Sequence, residues 1–364
     1  MFVWTLTLSL ISLKLTTNIP HLDIEPFTPI ILLLILCLIP NVYNFLNKST
    51  CIIHPVKIDI LVKIHSVSYV GCIILTIIDF LWSQGFPLLW YIIGSDKNYT
   101  NLGIPSVRGL QYTLYLMALS SLGIIRAKNK KYNNFKLIVL FALPILMFAR
   151  GLLTYAIIQY LSSTYFYKKI HLKHIFLIII LIVAYIFIFG IIGDNRQGVE
   201  NPFSYLISGD DSILRVLPSG FTWLYIYITA GFNNILITYN DIQPTHTFNL
   251  IFYNLIPGAL KSLVFDDMNS QLITDASLNV ASFFGSYYES FGLIGGFLGG
   301  SLLIFISIWF YRKIIKESEF YLIGYSACLS SLILSPFFDS LMTVSTIFQL
   351  VIVAIIGSNL KLNK

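Results

Sequence analysis

Long apolar runs separated by short polar breaks recur along the whole chain. One of them, Ile175 to Ile192, is almost unbroken and then empties abruptly into Gly193, Asp194, Asn195 and Arg196. Such runs are rich in Leu, Ile and Phe and lack the strict alternation of a barrel strand, so they read as helices. Their length matches the roughly 20 residues a bilayer demands. The pattern predicts spans at 2–18, 28–46, 60–80, 109–126, 136–149, 151–167, 174–193, 291–311, 319–336 and 340–357. Two more stretches, "SGFTWLYIYITAGFNNILITY" (219–239) and "FNLIFYNLIPGALKSLVF" (248–265), are apolar enough to cross. The link between them, "NDIQPTH", carries acid and no Lys or Arg, a poor cytoplasmic loop. Interfacial or re-entrant helices are therefore expected there, within one large loop region over 194–290. The expected fold is an all-α integral membrane protein, a single polytopic domain over 1–364 with about ten transmembrane helices, or twelve if both stretches cross.

Composition agrees: 56% of the 364 residues are hydrophobic and 11% charged, too little polar surface to coat a soluble globule. The N-terminal "MFVWTLTLSLISLKLTTN" has no basic n-region and no small-residue cleavage site, and is expected to be a retained first span. Neither disulfide nor zinc site is implied by Cys37, Cys51, Cys72 and Cys328. A net charge of +6 invites thoughts of nucleic acid, but its distribution follows the membrane instead. With both termini cytoplasmic, most of the lysines fall inside, as the positive-inside rule requires. Arginine does not follow them. Arg126 and Arg312 lie inside, whereas Arg108, Arg150, Arg196 and Arg215 lie outside or at the outer interface. A guanidinium fork kept on the disfavoured side suits bidentate capture of phosphate or carboxylate; pairing with the outer acids is the alternative.

The outer region also holds most of the acids, among them Asp194, Asp210 and Glu289, together with His246. Along the sixth span Tyr155, Gln159 and Ser162 or Ser163 recur at helical spacing below Arg150, either as interhelical glue or as a substrate groove. No G-x-x-x-x-G-K-[ST] loop, H-E-x-x-H pair or G-x-S-x-G elbow is present, and the adjacent acids of "SGDDS" face away from the nucleotide pool. The glycines of "GLIGGFLGG" (292–300) suggest close helix packing.

At "QGFPLL", "LGIPSVRGL", the tight Arg150 turn in "FARGLL", the "DNRQG" exit and "GSYYESFGLIGG" the chain resembles the Wzy-type O-antigen polymerases, from roughly the third span to the eighth. A histidine is common in that family where Arg108 follows "GIPSV" here. The resemblance implies a fold like the GT-C-type polytopic glycosyltransferases, placed in a bacterial inner membrane with its active site facing the periplasm. It further implies undecaprenyl-diphosphate-linked oligosaccharides as donor and acceptor, no cofactor or metal, and a chain-length regulator as partner. In that setting Arg150, Arg196 and Arg215, with Arg108, stabilise a departing diphosphate. Asp194, Asp210, Glu289 and His246 are the candidate general bases. Trp223, Tyr287 and Tyr288 are candidates for stacking on sugar faces, or else interface anchors, and Tyr155 and Gln159 for lining the groove. An O-antigen ligase shares these features, and a flippase shares the substrate, though charged spans and repeated halves, expected of a transporter, are missing from the sequence.

Overall fold

The computed structural model describes residues 55–97, 99–104, 107–128, 134–166, 172–204, 207, 213–238, 242–256, 260–261 and 281–362. The expected spans at 2–18 and 28–46, and the candidate Asp210, lie outside these residues. Among them regular structure is helical, with no β-strand. The chain runs through α1 (Ile58–Trp82), α2 (Pro87–Ile92), α3 (Val107–Lys128), α4 (Asn134–Leu146), α5 (Arg150–Tyr165) and α6 (Leu172–Gln197). It continues through α7 (Ile213–Val216), α8 (Ser219–Thr238), α9 (Asn249–Phe252), α10 (Gly285–Lys316), α11 (Leu322–Leu334) and α12 (Val344–Leu362).

Two stretches, Ile58–Ile92 and Gly285–Lys316, are long and apolar enough to cross a membrane. How they are oriented says more than their length. Helix α1 buries Ser68, Thr76 and Asp79 and exposes Val67, Val70, Ile74, Ile77 and Leu81. Helix α10 likewise buries Gly295, Gly299 and Ser307 and exposes Ile294, Phe297, Leu298 and Phe305. In water a helix turns its apolar stripe inward; continuous apolar faces turned outward suit lipid contact.

Small and polar side chains hold the helices together. Helices α1 and α3 run antiparallel: the ring of His65 bonds the carbonyl of Ala118 at 3.0 Å, and Gln111 Nε2 donates to Thr76 Oγ1 at 2.9 Å. Helices α3, α5 and α12 meet where Gln159 Oε1 accepts from Ser120 Oγ and from Gln349 Nε2, both at 2.9 Å. At one end of the bundle Glu319 pairs with Lys128 and accepts from the Val56 N–H at 2.9 Å. At the other end, residues 79–109, 150–155, 281–292 and 335–345 converge, and this end carries the candidate site.

Helix α8 corrects an expectation. The 219–239 stretch is one continuous helix, but Thr222, Trp223, Ile226, Thr229, Ala230 and Asn234 are all buried, so it is packed into the bundle and not laid on its surface as an interfacial helix. It meets α6 at a glycine crossing, where a Cβ on Gly190 would fall 2.5 Å from Gly220 Cα. In the described part of 248–265, α9 and a short turn, Tyr253–Leu255, end at an extended Ile256 before residues 260–261 are again helical, which excludes one continuous spanning helix there.

Near its start α10 is broken. Phe291 (φ −137°) and Gly292 (φ +62°) leave the helical region, and Gly292 supplies the left-handed backbone that the kink needs. The break frees the carbonyls of Glu289 and Ser290. They accept from the N–H groups of Thr245 at 3.0 Å and His246 at 2.8 Å, pinning the extended 242–247 segment to the kink.

Candidate functional site

Arg150 is the first residue of α5 and is only 4% exposed. Its guanidinium carbon lies 4.4 Å from the ring centroid of Phe189, 4.3 Å from Trp223 and 5.2 Å from Tyr227. One nitrogen, Nη1, donates to the Phe189 carbonyl at 3.3 Å, and Nη2 donates to the Tyr227 hydroxyl at 3.2 Å. Behind this aromatic box stands Asp194, whose Oδ1 accepts from Trp223 Nε1 at 2.7 Å and whose Oδ2 accepts from Ser219 Oγ at 2.5 Å. A buried cation surrounded by ring faces is attracted by their quadrupoles, by about 2 kcal/mol or more when desolvated. The "DNRQG" exit therefore ends on an acid because that acid orients the indole over Arg150.

This corrects several roles expected from the sequence. Arg150 faces rings where a diphosphate was expected. Trp223, 1% exposed, stacks on Arg150 and offers no face to a sugar. Asp194 is occupied by Ser219 and Trp223, so it serves as an orienting acceptor and not as a free base. Gln159, 0% exposed with its amide shared among Ser120, Ser330 and Gln349, is interhelical glue and lines no groove. Tyr287 and Tyr288 are buried in the core, and the Tyr287 ring presses on Gly299, where a Cβ would meet it at 2.6 Å. Glu289 is buried, Arg215 is exposed on α7, and His246 is exposed with φ +54°. Of Arg196 the structure describes only the backbone, in the last turn of α6.

Gly193 is the position on which the box depends. A Cβ there would fall 2.4 Å from Trp223 Cε2 and 2.6 Å from Arg150 Nη1. Gly193→Ala is expected to cost about 1–3 kcal/mol through overpacking. A lower melting temperature in detergent, with Gly151→Ala unchanged or higher because nothing lies within 4 Å of a Cβ there, would show it.

The open site lies on the other face of α5. Gly151, Leu152 and Tyr155 project about 100–200° around the helix from Arg150 and line a cavity of about 670 Å³. Arg108, Tyr112, Asn254, Lys261, Thr343 and Ser345 supply its polar wall, and Leu102, Ile104, Leu116, Ile256, Phe338 and Val344 its apolar one. Among the described residues lining this cavity, Arg108 is the one arginine. Its guanidinium donates to the Leu102 carbonyl, and the loop carrying Leu102 is itself fixed: Asp79 Oδ1 accepts from the Ile104 N–H at 3.1 Å, and Ser83 Oγ accepts from the Gly103 N–H at 2.7 Å. Lys261 sits 3.8 Å from the Tyr253 ring centroid, and burial holds its ammonium below the ordinary lysine range. Two cations beside hydroxyls, amide and apolar wall can bind an anionic headgroup joined to an apolar chain.

Sequence reasoning missed Asp339. It lies in the nine-residue break between α11 and α12, where an acid among apolar runs was a usable signal. Its Oδ1 accepts from the N–H groups of Leu341 at 3.0 Å and Met342 at 3.1 Å, while Oδ2 is sealed from solvent. Burial raises this carboxyl to about 7, against the opposing pull of those two N–H groups and of the Tyr287 hydroxyl. The folded value exceeds the unfolded one, so this contribution to stability is complete below about pH 4 and is lost as pH rises through about 7. The melting temperature in detergent is expected to fall across that window, and Asp339→Asn to flatten it.

Compared with protein-family models, with curated proteins and with solved structures, the chain matches none.

Proposed function

We propose that this chain is a polytopic inner-membrane glycosyltransferase that polymerises undecaprenyl-diphosphate-linked oligosaccharide units into O-antigen at the periplasmic face. In this reading ten or more helices cross the bilayer, both termini are cytoplasmic, and the bundle end that carries the cavity faces the periplasm. The supporting observation is the cavity itself, which sets Arg108 and Lys261 beside apolar wall at the end of the bundle opposite the Lys128–Glu319 pair. The charge distribution agrees among the described residues, because Lys57, Lys128, Lys313 and Lys316 belong to that opposite end.

The chemistry needs little beyond positioning and positive charge. A hydroxyl of the incoming lipid-linked unit attacks the anomeric carbon of the growing chain, and undecaprenyl diphosphate leaves. Arg108 and Lys261 stabilise the charge that develops on the departing diphosphate from fixed positions beside the apolar wall. Arg150 acts at one remove: its aromatic box anchors the first turn of α5, and the next three residues of that helix include two that line the cavity. The donor carries its own activation in the diphosphate bond, so no nucleotide is required outside the cytoplasm.

The test is the lipopolysaccharide ladder from cells deleted for the gene and complemented with wild type. Collapse of the ladder to core plus a single repeat unit, restored by wild type, is the expected result. Loss of every O-antigen band, single-unit species included, would point to ligation or flipping and overturn the polymerase reading.

A further inference from the structure

We infer that Asp339 is the terminal proton acceptor of the transfer reaction, reached from the cavity through the phenol of Tyr155. The inference rests on the polymerase reading and supplies a base where two of the expected candidates, Asp194 and His246, do not. Asp194 is held by Trp223 and Ser219, while His246 is exposed and anchored through its backbone.

The connection is one of position. Tyr155 lines the cavity, and its hydroxyl faces Ser340 and Asp339. The hydroxyl of Tyr287 also faces the Asp339 carboxyl. These phenols, from α5 and α10, are the ionisable groups facing the carboxyl. Asp339 Oδ2, Tyr155 Oη, Tyr287 Oη and Ser340 Oγ are all sealed from solvent, and none makes a well-aligned hydrogen bond. Buried polar atoms left in this state call for an explanation. A relay, whose bonds align when the Tyr155 phenol turns from Ser340 toward a hydroxyl in the cavity, accounts for all four. Placement near pH 7 suits a group that must take a proton and release it in each turnover.

In the step itself the acceptor oxygen bonds to the anomeric carbon as the bond from that carbon to the diphosphate oxygen breaks. The bonding pair departs with undecaprenyl diphosphate. The acceptor's proton passes to the Tyr155 oxygen while the proton of Tyr155 passes to the Asp339 carboxylate, which later returns it through Tyr155 to water in the cavity.

The experiment uses the full-length protein in proteoliposomes supplied with undecaprenyl-diphosphate-linked repeat units, with polymer formation followed against pH. Wild-type rate is expected to rise through about pH 7. Asp339→Asn and Tyr155→Phe should each lower the rate about 10²-fold, and Asp339→Asn should remove the rise. Asp339→Glu should keep the rise with part of the rate, which a purely structural role would not predict. A protonated-carboxyl infrared band should disappear over the same pH window and be absent from Asp339→Asn. A wild-type-like rate and pH midpoint in folded Asp339→Asn would overturn the relay while leaving the polymerase reading intact. Inactive wild type would overturn both.

Discussion

Arg108→Ala abolishes chain extension, with an expected loss of about 10²–10³-fold in rate, while the melting temperature stays within about 2 °C of wild type. The arginine lines the cavity and is only partly buried, and its one protein acceptor is the Leu102 carbonyl, which water can satisfy in its absence. Among the described residues its further interaction with the fold is electrostatic, with the Asp79 carboxyl. Arg108→Lys is expected to recover part of the rate, since it restores the charge but not the two-pronged geometry. Polymer formation by the purified variants, read beside their thermal unfolding, checks both halves. A large drop in melting temperature would assign Arg108 to structure.

For Arg150→Ala the expectation is reversed. Removing a cation that contacts three rings and donates to Phe189 and Tyr227 is expected to cost on the order of 3–5 kcal/mol. That lowers the melting temperature by roughly 10 °C or more and depletes the protein from the membrane. Lysine should not rescue it, because a compact ammonium cannot present a plane to Phe189, Trp223 and Tyr227 together. A ladder defect in this variant would then track protein abundance, so the measurement that checks it is unfolding temperature together with membrane content. An Arg150→Ala protein that is as stable as wild type but inactive would return this residue to the reacting centre.

The contrast between these two arginines marks the limit of what the sequence made legible. Helix positions were readable, since apolar runs of the right length admit few other structures: α3, α5, α6, α10 and α12 each overlap an expected span. Of the glycines in "GLIGGFLGG", Gly295 and Gly299 pack on Tyr287 across the break within α10 itself, where packing against another helix was expected. Rotation about the helix axis was not readable. A helix apolar on nearly every face carries no stripe to say which side meets the core. Arg150 and Arg108, each at the start of a helix, therefore looked alike. What separates them lies far along the chain: Phe189 and Tyr227 for one, and the loop held by Asp79 and Ser83 for the other. Asp339 was overlooked because attention went to the long loop, whereas the acid occupies a short break between the last two long helices.

The kink at Gly292 has a consequence for how this surface diversifies. Because the 242–247 segment is fastened by main-chain N–H groups to carbonyls that a broken helix left vacant and by buried Ile242, its attachment depends little on its exposed side chains. Thr245, His246 and Thr247 are exposed and can be exchanged chemically without releasing the segment, with one geometric condition. Position 246, at φ +54°, admits Gly, Asn or Asp readily and resists Val or Ile. The fold thus offers a strip beside its first α10 turn where surface chemistry can drift between lineages while the underlying frame stays constant.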